Sequence, residues 1–105
     1  MATTTINANT PTDTVDIVAA NAAEELTWSG RHPKSITLHA KLNAIRWDFV
    51  GPEGAKLSTP SDQDIVAGGF FRIPIRSGQA RNLHRTSLFI DSATAGTEVG
   101  VQVEW

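Results

Sequence analysis

Cysteine is absent from the 105 residues, so no disulfide framework and no thiolate metal site can contribute to this fold. Redox chemistry therefore says nothing about compartment. Long apolar runs are missing too: no segment approaches the roughly 18 to 20 apolar residues that a membrane-spanning helix needs. The opening MATTTINANTPTDT shows neither the basic start nor the apolar run of a signal peptide. The simplest expectation is a protein used in the cytosol, or assembled there into something larger. Net charge is scarce as well. Nine Lys and Arg against eleven Asp and Glu leave −2, too little to draw the whole molecule to nucleic acid or to a membrane. Catalytic motifs are lacking: there is no Gly-x-Ser-x-Gly elbow and no phosphate-cradling glycine loop of the required form. The expectation is a non-enzymatic protein with no catalytic residues, no cofactor and no metal.

What the chain does contain is a repeated β pattern. At its centre lies the stretch from Ile65 to Ile75, read as a short strand, a bend at Gly68-Gly69 and a second strand. Phe71, Ile73 and Ile75 fall two apart, which puts them on one face of a sheet. Both Phe70 and Phe71 read as core. Pro74 cannot donate a ladder hydrogen bond, so its strand belongs at a sheet edge or a bulge. Residues 35–42 alternate with Ile36, Leu38, Ala40 and Leu42 on one face, and residues 44–50 with Ile45, Trp47 and Phe49. The short connection at Asn43 suggests a bulge or tight bend, or a hairpin. Residues 87–91 form a nearly all-apolar strand. Residues 98–105 alternate most cleanly, with Val99, Val101, Val103 and Trp105 facing inward.

Towards the N-terminus, residues 15–20 and 25–28 read as strands around a turn, although Val15, Val18 and Ala22 also keep helical spacing. Residues 51–64 and 77–86 read as loops. Trp28, Trp47 and Trp105 are in phase with Leu26, Ile45 and Val103, which favours core packing over an exposed sugar-binding platform. About seven to eight short strands at this spacing predict an all-β domain over residues 15–105, an antiparallel β-sandwich or jelly-roll-like barrel. Residues 1–14 form an extended Thr- and Asn-rich arm that only Ile6 could anchor, so the arm is expected to be dispensable for folding.

Charge is unevenly placed along the chain. Arg72, Arg76, Arg81 and Arg85, with His84, occupy fourteen residues that contain no acid. Arginines at this density suit bidentate binding of phosphate or carboxylate. No interleaved aromatic platform supports single-strand nucleic-acid binding by stacking. Residues 1–27 show the opposite bias, with Asp13, Asp16, Glu24 and Glu25 and no Lys or Arg. Complementary patches of this kind steer and register subunits. Asp13, Asp16, Arg72, Arg76, Arg81 and Arg85 are therefore the candidate subunit-contact residues, the plain alternative being a solvated loop. Asp62 and Asp64 flank Gln63, but the longer ligand run of a calcium loop is missing, so both read as turn and cap residues. His32, His39 and His84 stand too far apart in sequence for a local metal motif.

Several segments together carry a resemblance. They are AGGFFRIPI at residues 67–75, SLFID at 87–91, SATAGT at 92–97 and the terminal EVGVQVEW, preceded by ITLHAKLNAIRWDFVG at 36–51. In layout, over residues 15–105, the chain resembles the small β-sandwich accessory proteins of tailed-phage virions: decoration, head-stabilising and minor capsid proteins. The resemblance implies a virion protein assembled in the host cytoplasm. It also implies a homo-oligomer, a trimer by preference, bound to a larger assembly such as a capsid shell, with its arm draped over a neighbour. No membrane and no specific nucleic acid enter this reading. The alternative is a small carbohydrate- or peptide-binding β-module such as a fibre or tail tip domain. A weaker third reading is a hydrolase subunit using Asp62 and Asp64.

Overall fold

Nested pairing organises the chain. The computed structural model describes residues 3–6, 12–28, 31–54, 56–57, 63–78 and 81–105, of which 12–14 and 16 are described by their main chain only. These residues form nine strands: β1 (Thr3–Ile6), β2 (Thr12–Ile17), β3 (Glu24–Trp28), β4 (Ser35–Ala40), β5 (Ile45–Asp48), β6 (Asp64–Ile65), β7 (Phe70–Pro74), β8 (Ser87–Asp91) and β9 (Thr97–Glu104). β5 pairs with β6, β4 with β7, β3 with β8 and β2 with β9, all antiparallel. Four pairs nested in this way are the two arms of one long ribbon folded back on itself. Further pairing of β4 with β9 and of β5 with β8 rolls that ribbon into two sheets. Their orders are β1-β3-β8-β5-β6 and β2-β9-β4-β7. The result is a jelly-roll sandwich, with β1 added in parallel beside β3.

The core lies between the sheets and follows the two-residue period. One sheet contributes Ile6, Leu26, Trp28, Ile45, Trp47, Ile65, Leu88 and Ile90. The other contributes Val15, Ile17, Ile36, Leu38, Ala40, Ile73, Val99, Val101 and Val103. Phe49 and Trp105 pack half-buried against this core. Pro74 lies in β7, an edge strand, where a missing N–H is tolerated. Asn21 turns the chain between β2 and β3 with φ 54°, a left-handed conformation that asparagine adopts more readily than most residues.

Four expectations from the sequence change. β4 and β5 belong to different sheets, so residues 41–44 arch across the sandwich and do not close a hairpin. Because β4 ends at Ala40, Leu42 leaves the inward face and is 61% exposed. Phe70 lies on the outward face of β7, and Phe71 faces inward but at a sheet edge, so it stays 41% exposed against Trp47. The N-terminal stretch is extended but paired within its own chain: β1 runs beside β3, residues 12–14 run beside β9, and Ile6 is 1% exposed in the core.

Two substitutions test this packing. Ile6→Ala should lower unfolding free energy in denaturant titrations by about 2–5 kcal/mol, and an unchanged value would mean that β1 is detached. Val101→Asp places an unpaired charge at a site that is 1% exposed, and should abolish the cooperative thermal transition.

Candidate functional site

The four arginines do not form one binding patch. Arg76 is half-buried. Its Nε donates to the His32 carbonyl at 2.7 Å and its Nη2 to the Trp105 main-chain oxygen at 2.6 Å, fastening residues 31–34 to the end of β9. Arg81 donates to the Ser77 carbonyl and meets Arg76 in an isolated antiparallel bridge. Arg85 lies over Phe49, its guanidinium carbon 5.4 Å from the ring centroid. These three side chains brace the described parts of this segment, residues 75–78 and 81–86. Arg72, in contrast, is exposed on the outward face of β7.

The acidic candidates are scattered. Glu24 and Glu25 lie on β3, and Glu25 accepts a hydrogen bond from Thr3 Oγ1 at 3.2 Å. Asp13 and Asp16 belong to β2, but their side chains lie outside the described residues, as does Asp62. Asp64 is exposed at the start of β6. Among the described residues, no three His, Asp or Glu side chains gather as a metal-binding group. Trp28 and Trp47 are 2% and 8% exposed, which removes them as a sugar platform.

One buried ionic group escaped the sequence reading. Asp91, 0% exposed, accepts from Arg46 Nε at 2.6 Å and Nη2 at 3.0 Å, and from the Leu57 N–H at 2.9 Å. Arg46 Nη2 also donates to Asn21 Oδ1 at 3.0 Å. The pair thus ties β5 and β8 to Leu57 and to the β2–β3 turn. The Asp91 carboxylate is engaged by protein donors alone, and the pair's role is to hold the fold.

The distinctive surface is one end of the sandwich. The registers bring four connections together there: residues 18–23, 41–44, 66–69 and 92–96. Hydrogen bonds stitch them to each other. Asn21 N–H donates to the Ser92 carbonyl at 2.7 Å, Gly96 N–H to Ile17 at 2.9 Å and Gly68 N–H to Ala40 at 2.6 Å. Ser92 Oγ donates to the Ala44 carbonyl at 2.8 Å. In sequence these connections read VAANAA, KLNA, VAGG and SATAG, with Lys41 as their single charged residue. Val18, Leu42 and Val66 project from them at 74%, 61% and 72% exposure. A groove of about 270 Å³ opens beside them, lined by Ala44, Ile45, Arg46, Asp64, Ile65, Val66 and Ala93. The composition of each segment was visible in the sequence; that the four meet was not, because only the rolled topology brings them together.

Comparison with protein-family models, with curated proteins and with solved structures finds no match.

Removing one partner of the ion pair should be costly. Arg46→Met should destabilise the domain by about 3–5 kcal/mol, since it leaves the Asp91 carboxylate buried and unpaired. Chemical denaturation measures this, and a change below about 1 kcal/mol would show that water reaches Asp91.

Proposed function

We propose that this protein is a non-enzymatic structural subunit of a larger protein assembly, like the phage virion accessory proteins that its layout resembles. One observation carries the reading: four connections with a single charge between them, bonded into one plate that exposes Val18, Leu42 and Val66. A surface built from small residues with one charge, Lys41, costs little to desolvate, and neighbours can approach its backbone closely. Among the described residues, three of the seven exposed large apolar side chains gather at this one end, which suits a contact surface. The hydrogen bonds between the loops hold that surface in shape before binding, which lowers the entropy lost on association.

On this reading the assembly contact is end-on. The arginine segment contributes mainly by bracing the opposite end, through Arg76 and its bonds to His32 and Trp105. The N-terminal stretch serves its own sandwich first, through Ile6.

Light scattering of the full chain tests the proposal. The expected result is a closed oligomer that falls to monomer when Val18, Leu42 and Val66 are all replaced by Ser, with the circular dichroism spectrum unchanged. A monomer for the unaltered chain at all concentrations, or an oligomer that survives the three replacements, would overturn it.

A further inference from the structure

The outward face of the four-stranded sheet carries a second surface, which borders, at Lys41 and Phe70, the end that the assembly reading uses. Its rows follow from strand register. Phe70, His39 and Gly100 stand side by side across β7, β4 and β9; next come Arg72, Thr37 and Gln102, then Pro74, Ser35 and Glu104. Phe70 is 67% exposed and lies flat against the His39 imidazole, with ring centroids 4.0 Å apart and planes 11° from parallel. Gly100 completes that row. A Cβ there would stand 3.2 Å from Lys41 Cε and 3.4 Å from His39 Cβ, so glycine lets both side chains lie low on the sheet. In the next rows a groove of about 280 Å³ is lined by Ser35, Thr37, Arg72, Gln102, Val103 and Glu104.

This combination selects a class of ligand. An exposed aromatic ring backed by a second ring offers a rigid apolar platform. The adjoining groove offers the Arg72 guanidinium, the Gln102 amide, the Glu104 carboxylate and the Thr37 hydroxyl, which between them donate and accept hydrogen bonds. A pyranose has those two faces: a patch of C–H groups and a rim of hydroxyls. Charge argues for a neutral sugar. Lys41 and Arg72 share the face with Glu98 and Glu104, so a polyanion meets no excess of cations. A peptide strand added at the β7 edge, the one that borders this groove, would meet Pro74, which interrupts the run of backbone donors.

We propose that this face binds the sugar rings of a neutral oligosaccharide, with Phe70 on His39 as the stacking platform and Arg72, Gln102 and Glu104 as hydroxyl partners. Among the described residues Arg72, Gln102 and Glu104 make no side-chain hydrogen bond or ion pair to another residue, which leaves their polar groups available to a ligand. The tryptophans, which a sequence reader would choose for this role, are taken up by the core.

The test is a ¹H–¹⁵N correlation titration of the full chain with three neutral probes: cellohexaose, maltohexaose and tetra-N-acetylchitotetraose. At least one probe should give saturable shifts centred on Phe70, Arg72, Gly100 and Gln102, with a dissociation constant of roughly millimolar or tighter. Phe70→Ala and Gln102→Ala each remove an exposed side chain, so they should keep the native spectrum while weakening binding about tenfold. The variant with Val18, Leu42 and Val66 replaced by Ser should bind as the unaltered chain does, so loss of assembly and loss of sugar binding are separable. No saturable shift with any probe at about 10 mM, unaltered binding by Phe70→Ala, or shifts confined to residues 18–23 and 41–44 would each overturn the proposal. So would dextran sulfate binding to this face in preference to all three neutral probes.

Discussion

The inward alternation of β9 is the constraint on which the molecule depends. β9 is the longest strand and lies between β2 and β4, with Val99, Val101 and Val103 buried and Gln102 and Glu104 turned to solvent. A slip of one residue would drive Glu98, Gln102 and Glu104 into the core and expose the valines. Each buried valine is worth about 1.5–3 kcal/mol of transfer free energy, while a buried unpaired carboxylate costs several times that. The register of both neighbouring strands is therefore fixed. Once β2 and β4 are fixed, so are the connections that meet at each end and the residues that share a row on the outward face. The apolar plate and the aromatic platform are both set by that register.

Much of the fold was legible in residue order because the period-two signal is strong where a strand is buried on one face. The strand read at residues 98–105, seen as Thr97–Glu104, and the inward Trp28 and Trp47 follow directly from it, while the missing N–H of Pro74 left its strand an edge or a bulge, and the structure makes it an edge. The signal failed at strand ends and sheet edges. Leu42 continues the alternation of β4 on paper, yet the chain has already turned towards the other sheet. Phe70 and Phe71 look equally apolar, and no local pattern tells which side of an edge strand each one takes. Ile6 reads as a lone apolar residue in a polar tail, because its partner Trp28 lies twenty-two positions away. The Arg46–Asp91 pair was illegible for the same reason. Each residue sits in an apolar strand, and only the pairing of β5 with β8 brings the charges into contact.

Charge clustering along a chain proved a poor guide to a site. The arginines of residues 72–85 look like a surface designed for anions, but Arg76, Arg81 and Arg85 are occupied by carbonyl groups and an aromatic ring within the chain. A guanidinium with five donors is well suited to such bracing, since it can satisfy several loop carbonyls at once. The surfaces proposed for partners are the end with its single charge, Lys41, and the mixed polar face of the four-stranded sheet. The two adjoin at Lys41 and Phe70. A jelly roll hosts many unrelated functions, and it is these residues, more than the fold, that argue for any particular one.

The sealed indoles give the molecule a further property. The chain has three tryptophans and no tyrosine, so its ultraviolet emission comes from tryptophan alone. The indole N–H groups of Trp28 and Trp47 are buried with no hydrogen-bond partner among the described residues, inside the same core cluster. Chromophores in so apolar a setting emit at short wavelength and shift to the red only when water enters. The part of the emission that comes from Trp28 and Trp47 is therefore a gauge of whether the two sheets stay together, while half-buried Trp105 also reports on the end of β9.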